Sequence, residues 1–380
     1  MSVSASPLHG VRVLDLTRLL PGSYATLLLA DLGADIIKIE DPRGGDHARH
    51  MPPLAGGTSV YFRVLNRNKR SVTLDLRSPE ARPVLDALAA RADVVVDSFR
   101  PRTARRLGVD AGTLRARHPR LVCAAITGFG QTGPYVDRAA HDINYEALVG
   151  LMAIRPGEQP KVPRLLIGDI GAAMQAAAGI LAALFRRERT GEGASIDVSI
   201  HEAALSWMLF PGARWLVAGG HDDRNELPLT GENASYNIYQ TADGQYLALG
   251  ALEPKFWIGF CDRIRRPDLA PLQTAQGEER ARVLAEVRAL MRTRTRDEWL
   301  AMFAGADVCL TPINTLAEAI DDPHLAARGV IARAGGTTYI TPPGVKVRPA
   351  PALGADTDAI LEEAGIDSTQ RTALRRAGVI

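Results

Sequence analysis

Two short apolar runs near the start of the chain, with a helix-like stretch between them, limit its fold more than any other feature. Val11–Leu16 is of strand length, Pro21–Leu32 has helical composition and is stopped by Gly33, and Ile36–Glu40 (IIKIE) reads as a second strand. Strand, helix and strand within about 30 residues make a βαβ unit. That unit demands a parallel sheet, because a parallel neighbour is reached only by a crossover. No Gly-x-Gly-x-x-Gly stands at the first turn, so the dinucleotide fingerprint is absent.

The alternation continues. Ser71–Leu76 reads as a strand, Pro79–Arg91 as a helix, and Asp93–Asp97 and Leu121–Thr127 as strands. A glycine-rich loop, Gly128-Phe-Gly-Gln-Thr-Gly-Pro134, precedes helical patterns over His141–Ile154 and Ile170–Arg189, and Ile196–Ser199 is a further strand. His201–Ala218 reads as one apolar helix. Tyr236–Tyr239 and Tyr246–Leu249 flank the turn Ala242-Asp243-Gly244 as a hairpin, and helices are expected over Arg280–Arg294, Arg296–Phe303 and Asp356–Ala364. The fold class expected is α/β: a large Rossmann-like parallel-sheet domain with a smaller inserted α+β domain. The large domain takes residues 1–199 plus 340–380, with 200–225 as linker, 226–330 as the small domain and 331–339 as the return linker. A chain of 380 residues is long enough for this and needs no metal or disulfide to hold a core.

Charge and cysteine usage narrow the function. Lys plus Arg is 45 against 43 Asp plus Glu, and a net charge of +2 argues against a dedicated nucleic-acid binder. Cys123, Cys261 and Cys309 are widely spaced with no zinc pattern, and read as small core residues in a reducing cytosol. The opening MSVSASPLHG lacks a basic-then-apolar leader. The longest apolar stretch, Ile170–Phe185, is broken by Gln175 and bounded by Asp169 and Arg186, which suits a buried helix rather than a membrane span. A cytoplasmic protein with no metal site is expected.

Three acid–base residues stand out. His141 opens a helix directly after the glycine-rich loop, Asp169 starts the long apolar helix, and Glu253 follows a strand in Gly250-Ala-Leu-Glu-Pro254. Taken singly each has an ordinary reading: Asp169 and Glu253 as helix-start carboxylates, His141 as a satisfied junction residue. Together they suit removal and return of a proton beside a carbonyl, with the helix start at Asp169 offering N–H groups to an oxyanion. That helix dipole favours ionised Asp169, whereas desolvation opposes it. Basic residues gather at Arg43, at Asn66-Arg-Asn-Lys-Arg70 and at Arg100, Arg102, Arg105 and Arg106, near strand ends where phosphates bind in α/β sheets.

Several motifs in order resemble one family. Gly10-Val-Arg-Val-Leu-Asp-Leu16, Leu29-Ala-Asp-Leu-Gly-Ala-Asp-Ile-Ile-Lys-Ile-Glu40, Asn68-Lys-Arg-Ser71, Thr127-Gly-Phe-Gly-Gln-Thr-Gly-Pro134 and Thr190-Gly-Glu-Gly193 resemble the family III CoA-transferases and their relatives, the 2-methylacyl-CoA (α-methylacyl-CoA) racemases. His141-Asp-Ile-Asn-Tyr145, Gly168-Asp169 and Gly250-Ala-Leu-Glu-Pro254 are similar to the histidine, aspartate and glutamate motifs of the racemase branch. The chain lacks the consecutive glycines that some transferases fold over the aspartate. It also carries Asp41 where racemase relatives tend to have an Arg, with Arg43 just beyond the proline.

The resemblance implies an interlocked homodimer and an acyl-CoA thioester substrate, CoA being part of the substrate with no further cofactor. It implies CoA contacts from Arg43, Leu74, Asp75, Leu76, Arg77, Arg100, Ala140 and Tyr145. It implies catalysis by His141, Asp169 and Glu253, the last from the partner subunit: His141 and Asp169 exchange the C2 proton on opposite faces and Glu253 polarises His141. Two alternatives remain open at this point. One is a family III CoA-transferase in which Asp169 forms a thioester with CoA; the other is an acyl-CoA-binding protein without catalysis.

Overall fold

The computed structural model describes residues 6–152, 159–219 and 229–380. The chain divides into two compact units, Met1–Gly219 with Ala326–Ile380, and Gly220–Leu325. The first is built on a six-stranded sheet of β1 (Arg12–Leu16), β2 (Asp35–Glu40), β3 (Arg70–Thr73), β4 (Val94–Asp97), β5 (Val122–Thr127) and β6 (Ser195–Ser199). Its order is β3-β2-β1-β4-β5-β6 and every pairing is parallel. This is the Rossmann order, and it reverses direction between β1 and β4, where such sheets open a ligand crevice at their carboxyl ends.

The helices of this unit include α1 (Leu19–Asp31), α2 (Ala81–Ala89), α3 (Pro101–Leu107), α4 (Ala111–Arg117), α5 (Asp142–Leu148), α6 (Ile167–Thr190), α7 (Ile200–Ser206) and α8 (Ala213–Ala218). They cover both faces of the sheet. Val13, Ile36, Val94, Val96 and Val122 meet α1, α6 and α7 on one side. Leu14, Ile37, Val72 and Val95 meet Val84, Leu85 and Leu88 of α2, Ala104 of α3 and Leu114 of α4 on the other. Double coverage is why the strands read as unbroken apolar runs. Helix α6 has the length and composition of a membrane span. Its stripe of Ala172, Ala173, Ala176 and Ala177 is instead buried against the core, where small side chains let it lie close to α1.

Several expectations change here. The single helix expected over 201–218 is two, α7 and α8, because Pro211 supplies no N–H and a Cβ on Gly212 would fall 2.8 Å from the Met208 carbonyl oxygen. The helix expected over 141–154 ends at Leu148, with Gly150 at φ 82°, and residues 153 and 154 lie outside the described residues. The arginine-rich stretch after β4 is helical: Pro101 opens α3, Gly108 closes it at φ 65°, and Asp110 caps α4. Cys123 and Cys261 are buried, but Cys309 is exposed rather than a core residue.

The second unit holds an antiparallel sheet of β7 (Tyr236–Gln240), β8 (Tyr246–Gly250) and β9 (Leu310–Pro312), in the order β9-β8-β7. Helices α9 (Pro254–Arg263), α10 (Gly277–Met291) and α11 (Arg296–Met302) enclose an aromatic core. Trp257 and Phe260 stack there, and the indole N–H groups of Trp257 and Trp299 donate to the carbonyls of Leu269 and Met291.

After this unit the chain rejoins the first. The segment expected as a return linker, 331–339, carries a hairpin, β10 (Ile331–Ala334) with β11 (Thr337–Ile340), turned at Gly335-Gly336 with both glycines at positive φ. The expected linker 200–225 also differs, since residues 200–219 belong to the first unit and Ala203 and Ala204 of α7 lie in its core. Beyond the hairpin the chain runs along the edge strand β3. Ser71 N–H donates to Asp356 Oδ2, Thr73 N–H to Thr357 Oγ1, and Asp356 N–H to the Ser71 carbonyl. Helices α12 (Thr357–Glu363) and α13 (Ser368–Arg376) follow. The edge is thereby protected from pairing with another chain.

Beneath the carboxyl ends of β1 and β2 lies a fully buried charge network. Lys69 Nζ donates to Asp15 Oδ2 at 3.0 Å and to Asn66 Oδ1 at 2.9 Å. Lys38 Nζ meets Asp46 Oδ2 at 2.9 Å, and Arg49 forks onto both oxygens of Glu40 at 2.7 Å. Burial alone would push Asp15 up, but Lys38, Lys69 and the hydroxyls of Thr17 and Thr26 hold its carboxyl well below the usual range. Burial pulls the Lys69 ammonium down to about 8. Removing one partner of such a pair strands the other charge in the core. Lys69→Met is expected to destabilise the protein by about 3–5 kcal/mol in urea unfolding, and adding Asp15→Asn to recover part of that loss.

Candidate active site

The carboxyl ends of the strands flanking the β1/β4 reversal form a cavity of about 390 Å³, of the size that takes a small ligand. Leu16 closes β1, Ile39 and Glu40 close β2, Leu74, Asp75, Leu76 and Arg77 follow β3, and Phe99, Thr103, Arg106 and Leu107 follow β4. Leu74 to Arg77 are thus where the sequence expects CoA contacts. Arg43 does not line this cavity. It is paired with Asp41 and Asp75, which also hold Arg77, so Asp41 and Arg43 brace the rim together. A second cavity, also about 390 Å³, is lined by Arg100, Arg102, Thr103, Arg106 and Asp137 and shares Thr103 and Arg106 with the first.

Arg18 and His47 also line the first cavity and were not singled out from sequence. The guanidinium of Arg18 lies 5.3 Å from the centre of the Phe99 ring. Arg18 and Phe99 follow strands adjacent in the sheet, β1 and β4, and His47 follows β2. Position just beyond a strand end was the available signal, but the strand order that makes these ends neighbours is not written locally.

The proton-transfer candidates of the first unit sit where α5 meets α6. His141 caps α5 with extended backbone and is exposed, and its N–H donates to Asn144 Oδ1 at 2.9 Å. Asp169 lies in the first turn of α6. One residue links them, because Asp142, the neighbour of His141, accepts the Asp169 N–H on Oδ1 at 2.7 Å. A Cβ at position 168 would come within 2.9 Å of that same oxygen, so Gly168 permits the approach. One turn along α5, Glu146 Oε1 accepts the Ile167 N–H at 3.1 Å.

This arrangement settles the balance between helix dipole and desolvation. The partial positive charge of a helix start resides on its free N–H groups. Here two of them are already taken by carboxyl groups. Burial, followed by the charges of Asp142 and Glu146, pushes Asp169 up to about 7. Of the N–H groups at this helix start, Ile167 and Asp169 donate within the protein, and that of Gly168 has no acceptor among the described residues. The N–H groups of Asp142 and Ile143, in the first turn of α5, likewise have none.

Tyr145 is buried rather than open to a ligand, and its hydroxyl donates to the Ala140 carbonyl at 3.3 Å. A Cβ on Gly128 would lie 2.3 Å from that hydroxyl oxygen, which explains the glycine opening the loop. Phe129 packs edge-on against Tyr145, and Asp197 accepts the Gln131 N–H at 3.0 Å, so the loop is pinned to α5 and to β6. Burial, helped by the charges of Asp169 and Asp142 and opposed by Arg100, pushes the Tyr145 hydroxyl up to about 12. Glu253 belongs to the second unit. It caps α9 with its side chain free of a capping bond, after a loop whose Ala251 and Leu252 carbonyls are held by Gln273. Among the described residues there is no His, Cys, Asp and Glu cluster fit for a metal.

Comparison with known proteins places these features in context. Residues 8–359 match CoA-transferase family III. The chain is 33% identical to human alpha-methylacyl-CoA racemase over 373 residues, covering 94% of this chain and 93% of the racemase. It is 36% identical to succinyl-CoA–D-citramalate CoA-transferase of Chloroflexus aurantiacus over 332 residues, covering 85% and 82%. Among solved structures, a CaiB/BaiF family protein from Brucella suis superposes with a TM-score of 0.82 at 30% identity, covering 94% of this chain and 99% of that one.

The raised Asp169 makes a stability prediction with a definite sign. Its carboxyl binds a proton more tightly in the folded chain than at the ordinary value of 3.8, so folding loses stability as pH climbs from about 4 through about 7. Asp169→Asn is expected to raise urea stability by on the order of 2 kcal/mol at pH 8. At pH 4 the same variant should match the parent.

Proposed function

Because the chain belongs to CoA-transferase family III, we propose that it is a CoA-thioester isomerase that epimerises C2 of 2-methyl-branched acyl-CoA by 1,1-proton transfer. The observation that carries this reading is the carboxyl cluster at α6. A group that must give and take a proton at neutral pH works best with a pKa near that pH, and Asp169 is pushed up to about 7 by burial and by Asp142 and Glu146. A carboxylate acting as nucleophile would be better served by an environment that keeps it ionised.

In this mechanism the nucleotide part of CoA occupies the two arginine-lined cavities, with Arg77, Arg100 and Arg106 toward its phosphates. The thioester reaches the junction of α5 and α6. His141 removes the C2 proton of one epimer, and the electron pair moves into the thioester as an enolate. The N–H groups left open at the starts of α5 and α6 stabilise that oxygen. Asp169 returns a proton on the opposite face, and the roles reverse for the other epimer. Glu253, contributed by the second copy of a homodimer, polarises His141. An exposed apolar run, Leu205, Trp207, Leu209, Phe210, Trp215 and Val217, supports association with a second copy. The cysteines are unpaired, which suits a cytoplasmic site of action.

A transferase reading is favoured by one observation, the comparable identity to the citramalate CoA-transferase. In that chemistry Asp169 would attack the acyl-CoA and carry CoA as a thioester.

The isotopic test separates them. In deuterated water a single 2-methylacyl-CoA epimer should epimerise and gain deuterium at C2, and His141→Ala should slow exchange by about 10²–10⁴-fold. Unchanged exchange in His141→Ala would sink the assignment. A hydroxylamine-sensitive CoA adduct on Asp169, without C2 exchange, would establish the transferase instead. For the assembly, Trp207→Glu should shift the protein to a monomer in analytical ultracentrifugation.

A further inference from the structure

Glu146 has no part in the proton transfer just described, yet it is 1% exposed and lies in the same cluster. It stands four residues after Asp142 on α5, so the two side chains share a helix face. Asp142 is 5% exposed. Each accepts a different N–H of the first turn of α6, Asp142 from Asp169 and Glu146 from Ile167. Burial first, and then Asp142, raises the Glu146 carboxyl above its ordinary range. Ionised together, two buried carboxylates on one helix face would repel, and both would be acceptors only. A proton on one of them removes that repulsion. Of the elements packed against α5, α6 carries Asp169 in its first turn and Arg186, Arg187, Glu188 and Arg189 at its far end, and α7 carries His201 and Glu202 in its first turn. Asp142 is the charge that acts on Glu146 among the described residues.

We propose that Glu146 is a positioning residue for Asp169: it shares a proton with Asp142, and the paired carboxyls clamp the first turn of α6 so that the Asp169 side chain is aimed at the substrate. The inference rests on the reading of Asp169 as the proton-transfer group. Loss of the shared proton would set two buried negative groups on one helix face against each other. The caps would then part and the first turn of α6 would loosen. Fixing the reacting group within a fraction of an ångström is worth about tenfold to a hundredfold in rate.

Two variants separate the proton from the shape. Gln at position 146 keeps a donor toward Asp142 and an acceptor toward the Ile167 N–H, but it cannot ionise. Leu keeps the volume and loses both bonds. Glu146→Leu should lower kcat for epimerisation by about tenfold or more with KM nearly unchanged, and Glu146→Gln should restore most of it at neutral pH. A second readout needs no substrate. With ¹³C-labelled aspartate, and Asp169→Asn to assign the signal, the Asp169 carboxyl resonance of the parent should show its own titration and a further alkaline inflection as the shared proton leaves. Glu146→Gln should lack that inflection. The proposal is overturned if the Asp169 titration is a single identical curve in parent, Gln and Leu variants, or if Gln impairs the enzyme as much as Leu does. If the parent exchanges no C2 deuterium, the isomerase reading fails while the resonance still decides the role of Glu146.

Discussion

The first unit depends on charge buried at the carboxyl end of its sheet. Asp15, Lys69, Lys38, Asp46, Glu40 and Arg49 lie under the ends of β1 and β2, and each is tied to backbone or hydroxyl partners as well as to its counter-charge. Hydrophobic residues of equal volume would serve stability as well or better, because desolvating ions is costly. What ions add is direction. Asp46 accepts the Ala48 and Leu19 N–H groups, and Arg49 reaches the Pro351 carbonyl, so one network fixes the start of α1, the loop after β2 and the returning chain. Thr17 and Arg18, before α1, and Gly45 to His47, in that loop, border the first cavity, so this part of its wall follows from the network.

The second concentration of charge differs in sign balance. At the junction of α5 and α6 the groups acting on Asp169 among the described residues, Asp142 and Glu146, are both acidic. A helix start that would ordinarily stabilise a carboxylate is capped by two others, so the third holds its proton into the neutral range. This costs stability at neutral pH and creates an acid–base group there, a trade common at functional sites. Racemases and CoA-transferases both appear among the relatives. An aspartate at a helix start can serve either chemistry, and its surroundings decide between proton carrier and nucleophile.

Much of the fold was legible because its signals are local. The apolar runs of β1, β2, β4 and β5 and the stop at Gly33 mark the βαβ pattern, and a helix start at Asp169 follows from composition alone. The breaks that were missed depend on contacts at a distance or on single residues inside a favourable pattern. Pro211 divides an otherwise helical stretch, and the arginine cluster after β4 hides α3 because Arg is equally at home on a surface helix. The candidate site was read residue by residue, yet Arg18 and His47 escaped because a cavity is assembled from ends that are remote in sequence. Tyr145 fills the space that Gly128 leaves open, a contact that no local pattern shows.

The sequence by itself determined the parallel α/β architecture and the family to which the chain belongs, and it marked the candidate acid–base residues, since these are carried by periodicity and by short motifs. Tertiary structure alone decided the ionisation of Asp169. Whether the start of α6 would ionise Asp169 or neutralise it depends on which groups take its N–H donors. Those groups, Asp142 and Glu146, lie more than twenty residues earlier and reach it only because α5 packs against α6. Electrostatic free energy depends on distance and burial in space, and neither is a property of position along the chain.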